Sequence, residues 1–247
     1  MDARRIAMLR FSITVALLSC IASASTGAPA PAADEGVPAF KQLDSMEARV
    51  QGCVTCHEQD GQGTGSGAFP RIAGKPAGYL FNQLVAFRDG TRSYPPMNYL
   101  LAFLPDAYLH AIAAYFAARR PPFAAREQAN VDAATLARGR SLVTQGDVER
   151  GVPPCVACHG NGLTGMDPGI PGLAGLRASY IEAQLTRWRV GERHAAEPDC
   201  MKRIATRLSD RDVGEVAAWL ARQEPPKDAS PESRNLVRMP LACGSQR

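Results

Sequence analysis

Two pentapeptides carry chemistry that few residue patterns can supply: Cys53-Val-Thr-Cys56-His57 and Cys155-Val-Ala-Cys158-His159. Two thiols separated by two residues sit about one turn of chain apart, close enough to add to two vinyl groups of one porphyrin. The histidine that follows then arrives beneath the iron and can coordinate it through an imidazole nitrogen. The spacing reads as covalent haem attachment, and it occurs twice. Two other chemistries use the same residue types. A structural zinc ion wants four ligands gathered in one place, whereas each motif here offers three, about 100 residues from the other. A redox-active dithiol of the thioredoxin type needs a strand-and-helix pattern that this sequence lacks.

An iron held only by His57 or His159 keeps an open sixth position, and what fills it separates electron transfer from catalysis. Met97 lies 40 residues after His57 and Met201 lies 42 after His159, each expected in a loop just ahead of a closing helix. A thioether is a soft ligand for ferrous iron and raises the reduction potential relative to a second imidazole. A single methionine is more simply read as flexible core filler. Matching positions behind both motifs favour ligation. The competitors are weaker: His194 has Ser93 as its counterpart and reads as a solvated loop residue, and His110 reads as a surface or packing residue of a helix. Met166 follows His159 too closely to reach the opposite porphyrin face, and Met46 precedes its motif.

These residues lie in a repeat of about 101 positions. Pro70 to Gly74 returns as Pro171 to Gly175, and Tyr79, Gln83, Arg88 and Arg92 return as Tyr180, Gln184, Arg189 and Arg193. The Pro70 and Pro171 carbonyls are placed to accept the second N–H of each motif histidine. The tyrosine, glutamine and arginine pairs face either haem propionates, an interface between the repeats, or solvent. Tyr115 and Trp219, each 18 positions after its methionine, should pack the closing helix on the opening one.

Helical periodicity supplies the frame. Leu109, Ile112, Ala113 and Phe116 fall at i, i+3, i+4 and i+7, as do Val213, Val216, Ala217 and Leu220, so each closing helix has one core-facing stripe. Asp106 after Pro105, and Ser209 with Asp212, start these helices; Pro121-Pro122 and Pro225-Pro226 stop them. Further helices are expected near 42–51, 77–88, 132–144 and 178–190. No alternating stretch argues for strands, so the fold is expected to be all-α: two tandem domains of three to five helices around one covalent haem each.

The chain has 247 residues, enough for two domains of about 100. Arg4, Arg5 and Arg10, an apolar run from Phe11 to Ile21 and small residues after it read as an export signal over 1–24. An Ala- and Pro-rich leader follows over 25–38, then a first domain at 39–122, a linker at 123–131, a second domain at 132–226 and a tail at 227–247. Leu17-Leu18-Ser19-Cys20 also admits a lipoprotein cleavage site, which is the one route to a membrane. Removal of 1–24 leaves 25 basic against 23 acidic residues, a balance that implies no nucleic-acid partner. Cys200 and Cys243 lie outside both motifs and, in an oxidising compartment, read as a disulfide; closing a 43-residue loop is worth about 4 kcal/mol in the idealised case.

Over roughly Phe40 to Gln223 the chain resembles the dihaem class I cytochromes c of the cytochrome c4 kind. The two Cys-x-x-Cys-His motifs, the two Pro-to-Gly loops and the two Met-then-helix segments carry the likeness. It implies two class I cytochrome folds related by a pseudo-twofold axis, two haem c groups, and a periplasmic shuttle between quinol-oxidising complexes or dehydrogenases and a terminal oxidase or reductase. Residues 66–69, the bulky stretch 98–103 and the Cys200/Cys243 pair depart from the family pattern. The expected function is single-electron transfer without catalysis. The alternatives are a cytochrome subunit of a membrane dehydrogenase or oxidase, and a dihaem peroxidase-like enzyme.

Overall fold

A computed structural model describes residues 44–128, 130–233 and 239–246. The proposed export signal, Cys20 and the leader lie outside them. The first half holds α1 (Met46–Arg49), α2 (Gln51–His57), α3 (Ala77–Arg88), α4 (Pro95–Leu101) and α5 (Asp106–Ala117). The second holds α6 (Ala133–Thr144), α7 (Val156–His159), α8 (Ala178–Arg189), α9 (Cys200–Ala205) and α10 (Asp210–Ala221). No helix among the described residues is long and apolar enough to cross a membrane.

Local chemistry sets most of these limits. Ser209 and Asp212 form a reciprocal capping box at the start of α10, and the Asp132 and Asp199 carboxylates take the orphan N–H groups of Thr135 and Lys202 at α6 and α9. Gly90 and Gly191, at φ +78° and +76°, turn the chain out of α3 and α8. The closing helices end at Ala117 and Ala221, four residues before their proline pairs, because the last turn is already closed there by Ala118 and Arg222.

Three expectations need correction. The opening helix of the first half, expected near 42–51, is instead a single turn, α1, parted from α2 at Val50 (φ −96°, ψ 6°). Met97 and Met201 sit within short helices rather than loops, because Pro95 and Pro96 suit a first helical turn and Asp199 caps the other. The all-α class stands, but where no strand is expected the described residues carry one two-stranded sheet, β1 (Gly165–Met166) antiparallel to β2 (Ile170–Pro171), with Gly165 opposite Pro171.

Each half has its own core. Val50, Leu80, Ile112, Ala113 and Phe116 gather where α3 crosses α5, with Phe87, Leu101 and Leu109 beside them. Leu142, Val143, Ile181, Leu185, Val216 and Leu220 join α6, α8 and α10. Full burial of one such side chain contributes about 1.5–3 kcal/mol. The α6–α10 crossing is close: a Cβ on Gly139 would lie 2.1 Å from the Glu215 carbonyl oxygen and 2.8 Å from the Cβ of Trp219, the residue that packs α10 there. Residues 123–128 lie along the second half, with Phe123 on its core and the Glu127 amide donating to Ala221 O. A disulfide joins Cys200 to Cys243, whose Cα atoms are 5.1 Å apart.

Candidate functional site

Both motif histidines end a short helix and turn inward. His57 Nδ1 lies 2.9 Å from the Pro70 carbonyl and His159 Nδ1 lies 2.7 Å from that of Pro171. A carbonyl only accepts, so Nδ1 carries the proton in each ring and Nε2 keeps its lone pair for a metal. Burial lowers the His159 pKa to about 4, outweighing the Pro171 hydrogen bond. Burial also lowers that of His57. Both imidazoles are therefore neutral at physiological pH, the form that coordinates iron. The Pro171 carbonyl is held in place by the β1–β2 pairing, and the Pro70 loop by Thr64 donating to Phe69 O and Ile72 to Gly61 O.

Cys53 and Cys155 are not held as the stabilised thiolates of a redox dithiol. Burial, with the neighbouring motif cysteine, pushes Cys53 up to about 11 and Cys155 up to about 12, whereas a reactive dithiol needs a stabilised thiolate. Among the described residues no three His, Cys, Asp or Glu side chains cluster as a metal site, so the zinc alternative finds no four-ligand centre.

In the second half Cys155, His159 and Met201 line one cavity of about 380 Å³, walled by Leu185, Trp188 and Ile204. This lies within the ~300–1,000 Å³ of organic-cofactor sites. In the first half Met97 packs with Phe87, Leu101 and Leu109 on the side where α3, α4 and α5 meet. The competing residues have other contacts: His194 is exposed with Nε2 donating to Gly191 O, His110 stacks on Phe81 at 3.6 Å, and Met166 is buried among Cys158, Ile170 and Cys200. Met46 packs on the first core.

The repeated polar residues divide into two sets. Arg88 pairs with Asp106 and Arg189 with Asp210, each inside its own half and at the surface. The others meet where the halves touch. Arg92 donates to Gln83, Gln184 and Tyr180, and Arg193 donates to Gln184, Gln83 and Tyr79, at 2.8–3.3 Å. Each bond in one half has its counterpart in the other, as a pseudo-twofold axis requires. Arg92 and Arg193 also pair as an isolated antiparallel bridge, and stack on Phe87 and Trp188, themselves repeat equivalents. Single-sequence reading could see that these residues recur but not that they bond across the repeat.

This junction is rich in donors and poor in anions. Arg92 and Arg193 are 6% and 3% exposed, and all the partners above are neutral. Among the described residues the buried side-chain atoms without a partner, Arg92 Nε and Trp188 Nε1, are both donors. Burial pushes the Arg193 guanidinium down, and Arg92 and Arg193 outweigh burial in lowering Tyr180. Buried positive charge without a counter-ion is costly. Arg193, Trp188, Tyr180 and Gln184 line the same cavity as His159. A porphyrin fits these residues: thiols and imidazole at one side, apolar walls, and donors that can hold its carboxylates.

No family model matches the chain. A cytochrome c4 from Pseudomonas aeruginosa is 32% identical over 176 residues, 70% of this chain and 85% of that protein. The chain belongs to the cytochrome c4 family. A protein named thiosulfate dehydrogenase electron acceptor, from Thiomonas intermedia, is 37% identical over 180 residues, 72% of this chain and 82% of the relative. The solved reduced cytochrome c4 of Pseudomonas stutzeri matches 72% of this chain and 96% of its own, with a TM-score of 0.63 at 29% identity. A thiosulfate dehydrogenase from Marichromatium purpuratum matches with a TM-score of 0.63 at 38% identity; it covers 68% of this chain, and the match spans 36% of that larger chain. As a cytochrome c4 the protein carries two covalently bound haem c groups and transfers electrons. The haems supply one-electron chemistry at iron; the chain supplies ligands, burial and the charges around them.

Proposed function

We propose that the chain is an exported, freestanding one-electron shuttle in which Cys53 and Cys56 bind one haem and Cys155 and Cys158 the other. His57 and Met97 would hold the first iron, and His159 and Met201 the second. The observation that carries this reading is the repeated His Nδ1–H···O=C bond to Pro70 and Pro171. It supports the reading because it leaves each Nε2 lone pair free for iron, and in the second half His159 lines a cavity that Met201 also lines. With a histidine and a methionine holding each iron, no position would be open to a substrate, which supports a carrier rather than an enzyme.

A thiosulfate dehydrogenase is the donor this reading favours. A 37% identical relative is named as its electron acceptor, and a solved thiosulfate dehydrogenase includes a region of the same fold. The test is holoprotein made in a host with haem-attachment machinery. Mass should show two haems per chain, and the near-infrared spectrum should show methionine-ligated low-spin iron at both. Mixed with thiosulfate and a thiosulfate dehydrogenase, the protein should be reduced at both haems within seconds. Bound exchangeable water at either iron would overturn the ligand assignment. Reduction by thiosulfate at the same rate without the dehydrogenase would overturn the shuttle assignment.

A further inference from the structure

Lys75 has no task in the reading above. It lies in the turn before α3, and its ammonium reaches out of the first half: Nζ donates at 2.7 Å to the carbonyl of Gly172, in the second half. The side chain is buried, and burial together with Arg71 lowers its pKa to about 7. Gly172 follows Pro171, the residue whose carbonyl takes the Nδ1 proton of His159. This segment has no slack, since a Cβ on Gly172 would fall 2.5 Å from Thr164 O, and Leu173 N donates to Leu163 O at 2.8 Å. Nearby, Tyr79 N donates to Pro168 O, and Gly78 has no room for a Cβ, which would lie 2.6 Å from the same oxygen. The start of α3 is thus seated directly on the loop that orients His159.

The brace runs one way. At the repeat distance of 101, the counterpart of Lys75 is Leu176, an apolar core residue. The counterpart of Gly172 is Arg71, whose guanidinium turns to the Pro121 and Pro122 carbonyls within its own half. The second histidine's supporting loop therefore accepts a hydrogen bond from a cation of the other half, whereas Arg177 of the second half lies beside the Gly65–Pro70 loop of the first without a hydrogen bond to it among the described residues.

We propose that Lys75 is a positioning residue for the second haem: it fixes the Pro171–Gly172 segment behind His159 and places a positive charge that draws a single electron toward the second iron. The proposal rests on the reading of His159 as an iron ligand. A ferrous centre carries one more negative charge than a ferric one, so a nearby cation favours the reduced state, and low local dielectric strengthens the effect.

The test follows the one-electron-reduced holoprotein at pH 6, with each haem resolved by the NMR shifts of its own ring methyls. Lys75→Met should shift the electron's distribution at least threefold toward the first haem, a change in potential difference of about 30 mV for a one-electron couple. Lys75→Gln, which keeps an N–H donor without the charge, should shift it in the same direction, and it decides the matter if the Met variant fails to fold. Lys75→Arg should retain the wild-type distribution. An unchanged distribution in both neutral variants, or equal movement of both potentials, would overturn the proposal. Haem count and the methionine-ligation band, read on every sample, show separately whether the axial-ligand reading stands.

Discussion

The two halves repeat their chemistry and differ in how they support it. His57 and His159 have equivalent carbonyl partners, and Arg92 and Arg193 equivalent sets of acceptors. The Arg88–Asp106 and Arg189–Asp210 pairs and the arginine stacking on Phe87 and Trp188 repeat as well, but the scaffolds around these contacts diverge. The second opens with the 12-residue α6, packs it backbone-to-backbone on α10, and is strapped by the tail: Glu232 pairs with Gly165 and Asp167, its carboxylate takes the Asn161 N–H, and Cys243 is bonded to Cys200 beside Met201. In the first half the described opening helix is the single turn α1, and beyond Met97 the chain exposes Tyr99 and Phe103 at 86% and 94%. The histidine–carbonyl bonds and the arginine bonds at the shared axis are kept in both halves, whereas a helix that only buries apolar surface can be shortened or replaced.

The largest expected effect tests the sameness of the chemistry. Met97→Ala and Met201→Ala should each abolish the methionine-ligation band of one haem and let that iron bind carbon monoxide, one equivalent per chain. Two equivalents bound by the wild type, or a Met201→Ala protein with both bands intact, would show that the halves use unlike ligands. Next comes the strap. Cys243→Ser should destabilise the second half by up to about 4 kcal/mol, the loop-closure value for the 43-residue separation, while the first haem's spectrum holds its midpoint in denaturant. Equal loss in both halves would mean that they unfold as one unit.

Sequence reached the site further than the scaffold. The Cys-x-x-Cys-His pattern is a matter of residue identity, so Cys53, Cys56, His57 and their repeats are visible to inspection as candidate attachment sites. The closing helices and α3 and α8 are visible because an apolar stripe at helical period coincides with a proline, serine or glycine signal at the ends. The β1–β2 pair was not, since two residues per strand in a glycine-rich loop show no period. Met97 and Met201 read as loop residues in the sequence because helices of seven and six residues are too short to display a stripe. The cross-axis bonds were hidden for another reason: Arg193 and Tyr79 are 114 positions apart, and no local pattern names a partner at that range.

Smaller effects should sort the two scaffolds further. Gly139→Ala places a methyl group against the Glu215 carbonyl, so α6 and α10 must separate; a cost of about 3 kcal/mol is expected, confined to the second half and read as an earlier thermal transition. If the transition does not move, α6 contributes little and the contrast with α1 loses its meaning.

The smallest effect concerns acid. Arg150 donates to both oxygens of Asp212, and the Ser209 amide and hydroxyl donate to one of them. The Arg150 hydrogen bond, with those from Ser209, outweighs burial and holds this carboxyl well below the usual carboxylate range. A depressed folded pKa gives stability that is complete above the unfolded value near 4 and is lost as pH falls through the folded one. The counterpart at the closing-helix offset of 104 is Tyr108, whose ring lies beneath Arg49 and which has no charge to lose in acid. Asp212→Asn should therefore cost on the order of 1 kcal/mol at pH 7. The gap between wild type and variant should shrink as pH is lowered from 5 to 2, and only in the transition of the second half. A gap that persists at pH 2 would place the role of Asp212 in packing rather than charge, and would remove acid sensitivity from the differences between the halves.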